Sequence, residues 1–353
     1  MRGQVDPQSH LFSYFSPEER VPATHPLRSI KAYTELALQQ IQPLLDGIYS
    51  QIGRPSIPPE RLLKAQLLIA LYLVRSDRLF CETLDYNILF RWFLDMSLEE
   101  PAFDHSTFSK NRERLAHEQV ALRFFDAVVR EARRLDLLSD EHFSVDGSLI
   151  EAWASLKSFR PKDGGGSPPD AAGDRDFKGE RRRNGTHAST TDPEAKLSFT
   201  GHALMDNRHG LVTDVSLTAS VGVTEPEAAL ALLARQRRKH LRPKSVGADK
   251  GYHTQQFVTG LRETHIAPHI APHVACVSNR TTRGLDGRTL NAPAYRASQI
   301  VRKRIEQFFG WGKSVGGLRK TRLHSVERNA QLMWLTAAAY NLLRISRLSP
   351  TTQ

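Results

Sequence analysis

The chain has 353 residues, 40% hydrophobic and 25% charged, and its 49 Lys and Arg against 38 Asp and Glu leave a formal net charge of +11. That length suits one large domain or two, and the cationic excess favours phosphate-rich partners over small neutral metabolites. Cys81 and Cys276 lie far apart, which excludes a disulfide framework and points to a reducing compartment; the opening MRGQVDPQSHLFSYF lacks a signal peptide's apolar core, and LLIALYLV (67–74) and LMWLTAAAY (332–340) are too short to span a membrane. The expectation is a soluble bacterial cytoplasmic protein without a membrane partner.

Residues 30–135 read as helical. Leu36, Leu38, Ile41, Leu44, Leu45 and Ile48 recur at helical spacing, and GRPSIPPE (53–60) is a hinge whose Pro58 and Pro59 suit the start of the next helix. That helix, about 60–75, has an apolar face of Leu63, Leu67, Ala70, Leu71 and Val74, and CETLDYNILFRWFLDM (81–96) reads as another. DHSTFSKNRERL (104–115) opens on a cap, Asp104 or Ser106. Its Lys110, Arg112 and Arg114 can lie along phosphates, with Ser106, Thr107 and Ser109 as donors; the competing reading is a solvated helix face. Residues 1–135 are therefore expected to form an all-α N-terminal domain.

Near residue 139 strand-like runs begin to alternate with helices. FSVDGSLI is the first strand, and LSFTGHALMD (197–206) with GLVTDVSLTAS (210–220) forms a hairpin around NRHG (207–210). A helix over 225–241, the strand SVGADKGY, a helix over 254–264 and a strand over 265–275 follow, then the basic helix IVRKRIEQFFGWGK (300–313). A closing helix carries Leu332, Leu335, Ala339, Leu342 and Leu343. This order predicts an α/β domain over 136–348, a mixed sheet with helices on its faces. Residues 156–195 interrupt it with KDGGGSPPDAAGDRD (162–176), expected to be a mobile insertion, and with Arg181, Arg182 and Arg183, read either as a basic flap over DNA or as a solvated linker.

Three segments each carry one acid: Asp146 in HFSVDGSLIEAWAS, Asp249 in SVGADKGYHT, and Glu306 in the basic helix. Period-two alternation puts Phe143 and Val145 on one side of the first strand, and Ser144 and Asp146 on the other. The competing reading of Asp146-Gly147 is a turn pair. Asp249 ends its strand where ligands of α/β sheets commonly bind. Arg302, Glu306 and Lys313, spaced four and seven apart, share one helix face, where Arg302 either pairs with Glu306 or holds phosphate. Acids buried in strands are costly unless partnered. Three of them from separate elements of a basic protein point to a site for hard divalent cations acting on an anionic polymer.

These segments resemble the DDE transposases of bacterial insertion sequences, in the group related to insertion sequences four and five. VDGSLIEAWAS is similar to that family's first-aspartate segment, GADKGY to its second, and RKRIEQFFGWGKSVGGLRKTR to its glutamate helix with the following basic stretch. The helical stretch from RPSIPPERLL to NRERL resembles the region preceding the catalytic core, and the resemblance covers about residues 10–345. It implies a ribonuclease-H-like core and metal-dependent strand cleavage and strand transfer at terminal inverted repeats. Asp146, Asp249 and Glu306 are then the catalytic metal ligands for two Mg²⁺ ions, with Mn²⁺ as a substitute. The implied partners are double-stranded DNA, as inverted repeats and as target, and a second copy on DNA at the nucleoid. Arg302, Lys313, Arg319, Lys320, Arg322, Arg181, Arg182, Lys110 and Arg112 are the expected DNA contacts.

Two departures stand out: Gln299 occupies the tyrosine position of the group's Tyr-x2-Arg-x3-Glu-x6-Lys signature, and TTDPEAKLSF (190–199) is short, as if a segment between Ala195 and Lys196 were absent. The alternatives are a catalytically inactive, transposase-derived DNA-binding repressor and a stand-alone metal nuclease. Zinc at His265, His269, His273 and Cys276 is set aside, because strand residues four apart are about 13 Å apart and Pro268 and Pro272 break a helix. Trp311 reads as a packing residue rather than a platform for a flipped base.

Overall fold

The computed structural model describes residues 15–49, 52, 56–117, 119–152, 196–219, 223–272, 285, 287–323 and 325–349, with short strand pieces between 160 and 187. Helices come first: α1 Pro17–Arg20, α2 Pro26–Ile48, α3 Pro59–Leu71, α4 Asp77–Tyr86, α5 Ile88–Phe93, α6 His105–His117 and α7 Val120–Arg134. Polar caps set their starts. Ser76 Oγ accepts from Leu79 N at 3.1 Å, and Asp104 Oδ1 accepts from Thr107 N at 2.9 Å. The Ser106 hydroxyl bond leads the causes that hold the Asp104 carboxyl down to about 2. The run 81–96, read above as one helix, is two. Asn87 is extended (φ −93°, ψ 101°), and its Oδ1 takes the Phe90 N–H at 3.0 Å, so one side chain ends α4 and starts α5.

The strands are β1 His142–Ala152, β2 Arg160–Pro161, β3 Arg175–Phe177, β4 Glu180–Arg182, β5 Thr186–His187, β6 Lys196–Asp206, β7 Leu211–Ala219, β8 Ser245–Ala248, β9 Ala267–Ile270 and β10 Lys320–Thr321. The main sheet runs β7-β6-β1-β8-β9; β7, β6 and β1 are antiparallel, while β8 and β9 lie parallel to β1. Three antiparallel strands followed by two parallel to the first is the ribonuclease-H-like order. β5 extends β6, and β10 runs beside the far end of β1. Within 156–195, which the sequence offers as an aperiodic insertion, β2, β3 and β4 pair as a small separate sheet.

Helices cover both faces. On one, α8 (Glu225–Arg238) and α9 (Gln255–Glu263) set Leu232, Leu233, Phe257 and Leu261 against Phe143, Val145, Leu204, Val246 and Ala248. α10 (Gly287–Asn291) adds Leu290 to this cluster, and the other face meets α11 (Pro293–Val301), α12 (Arg304–Ser314) and α13 (Val326–Leu348). α13 lies between β7 on one side and α2, α3 and α7 on the other, so the N-terminal helices share a continuous core with Ile150, Phe199 and Ala203 of the sheet. Among the described residues, no helix is long and apolar enough to cross a membrane.

Side chains cap the backbone of β7: Trp334 Nε1 and Arg235 Nη2 donate to Val215 O at 3.3 and 3.1 Å, and Lys239 Nζ donates to Thr213 O at 2.9 Å. Asn341 of α13 is fully buried; its Oδ1 accepts from Val212 N at 2.9 Å and its Nδ2 donates to Val212 O at 2.7 Å. The register shifts between Leu204 and Met205, opposite this point. An amide satisfies both free backbone groups of an edge strand, which otherwise invite another chain. Asn341→Ala orphans a buried donor and a buried acceptor, and is expected to cost about 2–4 kcal/mol. Urea unfolding checks this, and a loss within about 0.5 kcal/mol of zero contradicts it.

Candidate active site

Strand register places the first two acids. β1 pairs with β8 in parallel, His142 beside Ser245 and Ser144 beside Gly247, an offset of 103 residues (245 − 142). Asp146 and Asp249 have the same offset (249 − 146), so they stand level on adjacent strands, two residues beyond the last paired position, with side chains on one face. Asp146 lies inside an unbroken strand opposite Ala203 of β6, which excludes the turn reading of Asp146-Gly147. Asp249 ends β8 and starts a 3-10 turn over Lys250–Tyr252. Each carboxylate takes one local N–H: Gly147 N to Asp146 Oδ1 at 2.9 Å, and Gly251 N to Asp249 Oδ1 at 2.8 Å.

Asp146 is half-buried, and burial pushes its carboxyl up to about 7, with Asp249 and Glu225 adding like-charge repulsion and Arg302 opposing it. Glu225 is the acid that sequence reasoning missed; in EPEAALALLARQRRKHL it reads only as a favourable first-turn charge. It opens α8, and its carboxylate lies over Gly147 so closely that a Cβ there would come within 2.8 Å of Glu225 Oε1. The glycine after Asp146 was the available signal, since it admits a group from the opposite face. Tyr252 is fully buried under these acids, its hydroxyl has no hydrogen-bond partner among the described residues, and burial first, then Glu225, Asp146 and Asp249, raise it well above the usual tyrosine value.

The third predicted acid sits on a bent helix. The segment 300–313 is α11 and α12 joined at Arg302 and Lys303, where bonding passes from Arg302 N→Ser298 O (2.8 Å) to the tighter Ile305 N→Arg302 O (3.2 Å) and Glu306 N→Lys303 O (3.1 Å). Both residues keep right-handed helical angles. The bend follows the partners, since α11 packs on β8 and β9, and α12 on β1 and α13. Gly247 permits the close approach; a Cβ there would meet Ser298 Oγ at 3.0 Å and the Arg302 Cβ at 3.1 Å. Gln299, at the tyrosine position, donates to His269 O at 2.6 Å and accepts from Arg302 Nε at 3.0 Å, and so aims the guanidinium. Lys313 is half-buried; burial lowers its ammonium from the ordinary lysine range, against the pull of Glu151 and Asp146. Glu306 is exposed in the first turn of α12, between these two cations in sequence.

The structure thus brings Asp249, Glu225, Arg302 and Lys313 into electrostatic reach of Asp146. Among the described residues, no three of His, Cys, Asp or Glu close into one ligand set. The donors where β8 ends beside β1 are nonetheless carboxylate oxygens, which suit a hard divalent cation, and Tyr252 leaves an oxygen unsatisfied beside them.

The expected DNA contacts are spread more widely. Arg319 is exposed beside the site, and its carbonyl accepts from Glu151 N at 3.2 Å. Arg112, Lys320 and Arg322 line a cleft of about 390 Å³ between the N-terminal helices and the segment after α12, with Arg75 and Arg328. Arg112 already meets Asp77 at 2.6 Å, and Ser109 donates to the same carboxylate at 2.7 Å. Lys110 is exposed on α6, and Arg181 and Arg182 lie on β4. Of the histidine series, His269 is in β9, whereas His273 and Cys276 lie outside the described residues, as does the junction before Lys196. Trp311 packs against Tyr340, ring centroids 5.7 Å apart.

Residues 140–342 match the family model described as a transposase DDE domain, and residues 15–114 match one described as a transposase domain. No curated protein matches the chain in sequence. Among solved structures, the piggyBac transposase synaptic complex with hairpin DNA is similar at 10% identity and a TM-score of 0.43, over 93% of this chain and 77% of that one. The Mos1 transposase paired-end complex with the left transposon end is similar at 11% identity and a TM-score of 0.21, over 85% of this chain and 99% of that one.

The raised Asp146 carboxyl has a consequence for the metal-free protein. In the unfolded chain an aspartate titrates near 3.9, so between about pH 4 and pH 7 folding must hold a proton on Asp146 or accept a buried anion. Stability is complete below the unfolded value and falls as pH rises through 7. Asp146→Asn removes this slope, and its stability relative to wild type is expected to rise by up to about 4 kcal/mol between pH 4 and pH 8 in chelator. Parallel unfolding curves across that range contradict it.

Proposed function

The chain belongs to the family of transposases with a DDE domain, and from that membership we propose that it cuts and joins DNA at the terminal inverted repeats of an insertion sequence, with Asp146, Asp249 and Glu306 as its catalytic carboxylates. The observation that carries the reading is the common 103-residue offset, which sets the two acids level where β8 ends beside the middle of β1. The cofactor of this reading is a pair of Mg²⁺ ions, with Mn²⁺ as a substitute, which carboxylate oxygens would hold. Cations held there supply Lewis acidity to the phosphate and to the attacking and leaving oxygens of an in-line displacement. Glu306 enters from the helix side. Arg302 and Lys313, four residues before it and seven after, both act on Asp146 electrostatically, which supports assigning Glu306 to this site.

The chain's own groups orient the substrate. Arg302, held by Gln299, and Lys313 offset phosphate charge on either side of the acids. Water attacks a phosphodiester at the element's end and the P–O3′ bond breaks; the freed 3′ hydroxyl then attacks a target phosphodiester, whose own P–O3′ bond breaks and releases the target strand's 3′ oxygen. Arg319, Lys320 and Arg322 continue the cationic path away from the site, with Arg181 and Arg182 as a further contact. Residues 1–135 are assigned to end recognition through Lys110 and Arg112, where DNA phosphate replaces Asp77 as the partner of Arg112. The catalytic unit is assigned to 136–348, and pairing of two ends calls for two copies on DNA.

Asp146→Asn, Asp249→Asn and Glu306→Gln are each expected to abolish Mg²⁺-dependent cleavage of a repeat-bearing duplex while leaving its gel-shift affinity intact. Full cleavage by any one of them removes that acid from the mechanism. Arg319→Ala, Lys320→Ala and Arg322→Ala are each expected to flatten the slope of log affinity against log salt by about 0.9 for each phosphate that the protein ceases to neutralise, as a salt titration measures. An unchanged slope takes that residue off the DNA path.

A further inference from the structure

We propose that Glu225 is a fourth carboxylate of this centre and holds a divalent cation together with Asp146 and Asp249, approaching from the α8 face of the sheet. The proposal rests on the reading of those aspartates as cation ligands, and it adds a residue that the three-acid pattern leaves out.

Asp146 and Asp249 project toward the α11 and α12 side, and Glu306 lies on that side too. Ligands drawn from one face alone leave a cation's other side to water. Glu225 comes from the opposite side. It is the first residue of α8, directly after the N-cap Thr224, whose hydroxyl and backbone N–H both pair with Glu227, so helix geometry fixes where its backbone stands. Its carboxylate reaches the strand end because Gly147 has no side chain, and a Cβ at that position would come within 2.8 Å of Glu225 Oε1.

Tyr252 provides the second observation. Its side chain is fully buried, its hydroxyl has no hydrogen-bond partner among the described residues, and the three carboxylates that act on it are Glu225, Asp146 and Asp249. A buried hydroxyl costs free energy until it finds a partner. Ordering of the three carboxylates around a cation supplies an acceptor next to it. Glu225 is itself exposed, so a hydrated ion has a way in.

A purely structural role is the competing explanation, because an acid in the first turn of a helix stabilises it. The two roles have opposite signs in the absence of metal. A helix-end charge stabilises the metal-free fold, whereas a ligand carboxylate crowded against two others destabilises it.

The test uses the full chain and Mn²⁺ alone, with binding followed by calorimetry and unfolding followed in chelator. Glu225→Gln is expected to weaken Mn²⁺ binding by about tenfold or more and to leave the metal-free Tm equal to or above wild type. Glu225→Asp should recover part of the affinity. Gly147→Ala, which keeps the glutamate and displaces its carboxylate, should weaken Mn²⁺ binding as well, and it stands in if Glu225→Gln fails to fold. Wild-type Mn²⁺ affinity in Glu225→Gln, with or without a lowered metal-free Tm, overturns the proposal, provided Asp146→Asn has lost binding. Wild-type Mn²⁺ affinity in Asp146→Asn overturns the reading of the centre itself.

Discussion

Two like charges held level on neighbouring parallel strands are the constraint around which this molecule is arranged. The β1–β8 register leaves Asp146 and Asp249 no freedom to separate, since moving either by one residue turns its whole strand over. That slip would carry Phe143, Val145, Val246 and Ala248 out of a core in which each is at most 2% exposed. The hydrophobic pattern of the strands therefore fixes an arrangement that electrostatics opposes. One local N–H bond to each carboxylate and the field of Arg302 offset part of the repulsion. Burial first, and the remaining repulsion after it, raise the proton affinity of Asp146, which a bound cation would relieve.

The two faces of the sheet treat this charge differently. On the α12 side Arg302 and Lys313 are available, and the basic segment through Arg322 extends from there toward the cleft. On the α8 side stand Glu225 and the buried Tyr252. The cationic side chains thus lie on one face, and an extra acid closes the other. The bend at Arg302 serves the same division. Through the tighter turn there, α11 packs on β8 and β9 with Ser298 close over Gly247, and α12 packs on β1.

Much of this was legible in the sequence, for identifiable reasons. Alternation in FSVDGSLI, the NRHG turn and the alanine-rich helix after 225 are local signals, and β1, the β6–β7 hairpin and α8 follow from them. The level placement of Asp146 and Asp249 was not readable locally, because pairing between strands 103 residues apart depends on how the cores on both faces fill. Asn87 splits one apparent helix in two, since its capping bond outweighs the continuous apolar run in which it sits. Glu225 carries no such signal, because an acid in a first helical turn already has a sufficient local explanation. Only the empty space above Gly147 gives it a second one.

The position of α13 argues that the N-terminal helices and the acids move together. A surface helix buries one stripe, but α13 buries residues all round, from Met333 and Leu335 to Tyr340, Asn341 and Ile345. It touches α2, α3 and α7 on one side and β7 on the other, and α12 packs against it. Its Asn341 caps Val212 at the edge of the sheet, and its Thr336 donates to Gly316 O at 3.1 Å in the segment that leads from α12 into the basic stretch. A load on the N-terminal helices therefore reaches α12, and with it Arg302, Glu306 and Lys313, through packed side chains rather than through a linker. Close packing resists small displacements. A DNA end held by those helices would meet the acids in one fixed geometry, which is the positioning that an in-line displacement demands.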